Sequence, residues 1–125
     1  MARIVLIEDN KDLRELLADS LTASGHQVWS TRDAGAGVTR CESSATDLVV
    51  TDLVVPNSDA LEKLVSLRRT NAGLQVVVIS GALDSPDEAT RAARLAGANV
   101  LAKPFRTIEL VRLVEELHIN SVAHS

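Results

Sequence analysis

The sequence predicts a parallel α/β sheet covered by helices on both faces. Two observations carry this. Short aliphatic runs, many of them β-branched, alternate with longer stretches in which leucines recur at helical spacing. The short runs are apolar throughout rather than alternating, as strands buried on both faces must be. A third observation sets the scale: 125 residues make one domain, and 46% hydrophobic residues are enough to build its core.

Arg3 to Ile7 reads as the first strand and ends abruptly at Glu8-Asp9-Asn10. Leu13, Leu16, Leu17 and Leu21 mark a helix stopped by Gly25. Gln27 to Thr31 is a weaker strand, and Asp33 to Glu42 a helix weakened by Gly35 and Gly37. Leu48 to Thr51 is a buried strand closed by Asp52. A loop around Pro56 leads to a helix marked by Leu61, Leu64, Val65 and Leu67. Val76 to Ile79 is the clearest strand and stops at Ser80-Gly81. Pro86, with Ser85 as cap, opens a fourth helix that runs to Gly97. Val100 to Ala102 is a short fifth strand before Lys103-Pro104, and Ile108 to Leu117 forms the fifth helix. The domain is assigned to residues 1–118, with 119–125 as a polar tail or the start of a linker.

Composition excludes several classes. Thirteen Lys and Arg against seventeen Asp and Glu give a net charge of −4, which argues against unaided binding to nucleic acid. The one cysteine, Cys41, rules out an internal disulfide and a cysteine-rich zinc site, and reads as a small apolar filler in a helix. No P-loop or G-x-G-x-x-G is present. His26, His118 and His124 lack metal spacing and are expected at the surface, and Trp29 is expected to pack. No signal peptide or membrane span is legible, so a cytoplasmic location is expected.

The polar residues that end the strands carry the chemistry. The first strand ends in Glu8 and Asp9, the third in Asp52, the fourth in Ser80 and the fifth in Lys103. In an open parallel sheet ligands bind at the carboxyl ends of the strands. Each residue has an ordinary explanation alone: a helix cap, a turn, a loop serine, a surface lysine. Asn10 can cap the first helix unaided, which leaves Asp9 spare. All five on one edge are hard to ascribe to capping. Two carboxylates about 4 Å apart repel by about 4 kcal/mol at an effective dielectric near 20. An oxygen-only set of this charge suits a hard cation such as Mg²⁺. A carboxylate can also act as nucleophile toward a phosphoryl group, with metal, ammonium and hydroxyl around it.

Four segments carry a resemblance: Ile4 to Asn10, Asp47 to Pro56, Val77 to Ala82 and Gly97 to Phe105. In this order and at this spacing they resemble the receiver domains of two-component response regulators, similar to the single-domain chemotaxis regulator. The resemblance implies a flavodoxin-like (βα)5 fold with strand order 2-1-3-4-5. It implies that Asp52 is the phosphoacceptor and that Lys103 pairs with the phosphoryl group. Ser80 would be the switch hydroxyl. Mg²⁺ would be held by Asp9, Asp52 and the Val54 carbonyl, with Glu8 acting through water. The peptide before Pro104 is expected to be cis.

Expected partners are a sensor histidine kinase or histidine phosphotransfer protein and a downstream output protein or domain, with neither nucleic acid nor membrane bound directly. A homodimer through the fourth helix, fifth strand and fifth helix is also compatible. The domain would catalyse only its own phosphorylation and dephosphorylation. Three departures stand out: Val100 where an aromatic is common, Ala60 where glycine is usual, and Thr51 where an apolar residue is commoner. Two other readings are compatible with parts of the pattern. One is a receiver-fold binding module acting through protein contacts without phosphorylation. The other is a Mg²⁺-dependent phosphohydrolase; the haloacid-dehalogenase type would need an Asp two residues after Asp52, where Val54 stands.

Overall fold

A computed structural model describes residues 1–52, 60–71, 73–80 and 97–123. Five parallel strands form one sheet in the order β2-β1-β3-β4-β5. They are β1 (Arg3–Ile7), β2 (Gln27–Thr31), β3 (Leu48–Asp52), β4 (Gln75–Ser80) and β5 (Asn99–Ala102). The described helices are α1 (Lys11–Ala23), α2 (Ala34–Ser43), α3 (Ala60–Thr70) and a last helix, α4 (Thr107–Ala123). The helix expected over 86–97 lies outside the described residues. No described helix is long and apolar enough to cross a membrane.

The period of two along each strand divides the core. Ile4, Leu6, Leu48, Val50, Val77 and Ile79 face Leu17 and Leu21 of α1 and Leu110 and Val114 of α4. Val5, Ile7, Val49, Val76 and Val78 face Ala34 and Val38 of α2 and Leu64 of α3. Both faces are covered, which is why the central strands needed no polar alternation. Leu17 and Leu21 are fully buried, each worth about 1.5–3 kcal/mol over exposure.

The local signals have identifiable work. Asn10 caps α1, its side chain accepting from the Leu13 N–H at 2.9 Å. Asp33 caps α2 by accepting from Gly35 and Ala36. Gly25 sits at φ +94° just past α1, where residues with a Cβ are strained. Gly37, a poor helix former by propensity, is fixed by close packing: a Cβ there would fall inside the Ile7 side chain.

Two expectations are corrected. His26 is not a surface residue; it is only 5% exposed. Its Nδ1 accepts from the Ala2 N–H at 3.0 Å and its Nε2 meets Glu115 Oε1 at 2.8 Å. Those partners are 24 and 89 residues away, so no local pattern could announce them. The last helix also outruns its leucine repeat and continues to Ala123. Cys41 and Trp29 behave as expected. Both pack half-buried against the core, burial pushes the Cys41 thiol up to about 11, and the Arg40 guanidinium lies 5.3 Å over the Trp29 ring.

Candidate functional site

The sheet register brings the strand-terminal residues together. β1 and β3 pair Ile7 with Thr51, β3 and β4 pair Asp52 with Ile79, and β4 and β5 pair Ser80 with Ala102. Glu8, Asp52, Ser80 and Lys103 therefore leave adjacent strands at one edge. Asp52 ends β3 with its side chain 4% exposed. Lys103 follows β5 and places Nζ 2.9 Å from Asp52 Oδ2 and 3.9 Å from Glu8 Oε1. Its backbone N–H donates to the Ser80 carbonyl at 2.7 Å, locking the ends of β4 and β5 together. The Lys103–Pro104 peptide is cis, as expected. Ser80 is buried.

Glu8 is nearly as buried as the strand that precedes it. Burial, then a hydrogen bond with Asp52 and the charge of Asp52, push its carboxyl up to about 7. The Lys103 ammonium and the Asp9 N–H, which donates to Glu8 Oε2 at 3.1 Å, pull the other way without cancelling the rise. Among the described residues, two adjacent carboxylates thus share the Lys103 ammonium. A divalent cation fits that donor set: it is all oxygen and rich in negative charge, and Asp9, the next residue after Glu8, is exposed. Among the described residues no three acidic, His or Cys side chains form a metal cage by themselves. The expected contribution of the Val54 carbonyl lies outside the described residues. Mg²⁺ commonly takes only one or two carboxylates and keeps several waters.

Sequence reading missed Arg14. This half-buried residue of α1 donates from Nη1 to the Glu8 carbonyl at 2.9 Å. Its only signal was a position one turn into the helix that follows the acidic pair. Also unforeseen is an apolar groove beside Lys103, lined by Leu13, Leu16, Leu17, Pro104 and Phe105.

Comparison with known families matches residues 4–115 to the response regulator receiver domain. The chain belongs to that family. The receiver domain is 30% identical over 123 residues to the response regulator receiver protein CpdR of Brucella abortus, covering 95% of this chain and 98% of that one. It is 34% identical over 113 residues to the response regulator protein FleR of Pseudomonas aeruginosa, covering 90% of this chain but only 24% of that longer protein. Among solved structures, the receiver domain of NtrX from Brucella abortus superposes with a TM-score of 0.78 at 29% identity, over 92% of this chain and 97% of that one. A CheY-like receiver domain from Methanospirillum hungatei shares the fold, with a TM-score of 0.88 at 20% identity over 100% of this chain and 99% of that one.

Proposed function

We propose that this receiver domain takes a phosphoryl group onto Asp52 from a phosphohistidine and uses it to switch a protein-binding surface. The observation that carries the proposal is the Lys103 ammonium 2.9 Å from the Asp52 carboxylate, with Glu8 beside it at one sheet edge. An Asp52 oxygen attacks phosphorus, and the bond from phosphorus to the donor's imidazole nitrogen breaks. The electron pair stays on that nitrogen, which is protonated from solvent. Asp52 becomes a mixed anhydride. Lys103 exchanges part of its contact with the carboxylate for a contact with a phosphoryl oxygen, so its charge follows the negative charge. Water attack on phosphorus later releases phosphate and restores the carboxylate.

When bound, Mg²⁺ would supply positive charge that offsets the negative charge of the carboxylates and the incoming phosphoryl group. Asp9, Asp52 and the Val54 carbonyl would hold it, with Glu8 reaching it through water. Ser80 would answer the new charge with its hydroxyl; its burial at the end of β4 and the bond from its carbonyl to the Lys103 N–H support that reading. The partners in this reading are a sensor histidine kinase or histidine phosphotransfer protein and a downstream output protein or domain. The switched surface comprises the segment 86–97, β5 and α4, which is also the surface for any homodimer. The domain works in the cytoplasm, does not bind nucleic acid itself, and turns over nothing but its own phosphoryl group.

Incubation with Mg²⁺ and acetyl phosphate tests this. One equivalent of a base-labile phosphoryl group should appear, and none on Asp52→Asn. Equal labelling of that variant contradicts the proposal. Sustained release of many equivalents of phosphate would instead favour a phosphohydrolase.

A further inference from the structure

We infer that Arg14 is a positioning residue that holds the Glu8–Asn10 turn in its metal-receiving shape; this rests on the function proposed above. The hydrogen bonds of the turn support it. The Glu8 N–H donates to the Thr31 carbonyl at 3.0 Å, extending the sheet. The Asp9 N–H donates to Glu8 Oε2 at 3.1 Å. The Asn10 side chain accepts from Leu13, and the Asn10 carbonyl accepts from the Arg14 N–H at 2.9 Å. The Glu8 carbonyl accepts from Arg14 Nη1. Arg14 therefore grips both ends of the turn, by its backbone at Asn10 and by its guanidinium at Glu8. Among the described residues, the exposed Asp9 carboxylate takes part in none of these bonds.

Residue type matters here. Glu8 is buried, so its carbonyl has little access to water once Arg14 is removed. A planar guanidinium on a long stem reaches back from the first turn of a helix to the strand end and offers several donors in a fixed fork. Partners that orient metal ligands typically change affinity by about 10–100-fold when removed.

Two roles for Arg14 predict opposite signs. A cation that merely sits near the carboxylates opposes a second cation, so neutralising it should tighten Mg²⁺ binding. A residue that shapes the turn should do the reverse. The test is calorimetric titration of Mg²⁺ into the parent, Arg14→Met and Arg14→Gln. Binding about tenfold weaker in the neutral variants is expected. Acetyl phosphate labelling of those variants at saturating Mg²⁺ should return to within about threefold of the parent, because Asp52 and Lys103 are untouched. Arg14→Lys, which keeps one donor, should recover part of the affinity. Unchanged or tighter binding in either folded neutral variant overturns the inference and leaves the proposed function standing. A parent that neither binds Mg²⁺ nor labels overturns both.

Discussion

The Lys103 ammonium lies 2.9 Å from the Asp52 carboxylate although 51 residues separate them in the chain. It also lies 3.9 Å from Glu8, so one cation serves two buried carboxylates. Removing it should expose their repulsion. Lys103→Ala should destabilise the metal-free protein by about 1–3 kcal/mol, below the loss for a fully buried pair because Lys103 is 33% exposed. Added Mg²⁺ should bind at least as tightly as in the parent and restore most of that stability, while phosphoryl uptake stays low. Urea unfolding with and without Mg²⁺ checks this; a variant as stable as the parent at low salt would show that the contact does not compensate the pair.

Glu8 predicts a pH dependence. Its folded-state pKa of about 7 lies above the ordinary value of 4.5, so the native state holds the proton more tightly than the unfolded chain. The stability it contributes is complete below about 4.5 and is lost as pH rises through about 7. Glu8→Gln keeps the shape and removes the titration. Without metal it should equal or exceed the parent in stability at pH 8, with a flatter slope between pH 5 and 8, by at most about 3 kcal/mol. Parallel slopes in the two proteins would contradict the burial argument.

Asp9 and Asn10 should separate cleanly. Asn10 carries the cap of α1, so Asn10→Ala should cost about 1 kcal/mol and weaken Mg²⁺ binding less than Asp9→Ala does. Asp9 is exposed and outside the cap. Asp9→Ala should change metal-free stability by less than about 0.5 kcal/mol. It should also shrink the stabilisation by Mg²⁺, which for the parent is about 2.7 kcal/mol at a hundredfold excess over Kd. Thermal melts with and without Mg²⁺ read both; an undiminished Mg²⁺ shift in Asp9→Ala would remove Asp9 from the metal site.

Val100 should move little on activation. It pairs with Val78 and packs half-buried against the core, and a β-branched side chain has little rotamer freedom to swing. With beryllofluoride as phosphoryl mimic, amide exchange should change around Ser80 more than in β5. A large response centred on Val100 that survives Ser80→Ala would show that valine relays the signal.

The architecture was legible because its causes are local. Continuous aliphatic strands, an Asn cap and a stop glycine each announce themselves within a few residues, and the sheet edge follows from the strand ends. Contacts that depend on distant partners were not legible. His26 reads as a loose polar residue until Ala2 and Glu115 are seen to enclose it. Gly37 looks like a helix defect until Ile7 is seen against it. Arg14 reads as one more charged residue on α1, because a side chain donating to a backbone carbonyl leaves no mark in composition. The polar residues that end the strands were readable one by one; which atoms share the ammonium was not.

The most direct measurement locates the phosphoryl group. After incubation with Mg²⁺ and acetyl phosphate, borohydride reduces an aspartyl phosphate to homoserine, and peptide mass spectrometry reads its position. Homoserine is expected at position 52 and nowhere else, and is expected to be absent when Mg²⁺ is chelated. Homoserine at Asp9 or Asp47, or modification of a histidine with Asp52 intact, would contradict it.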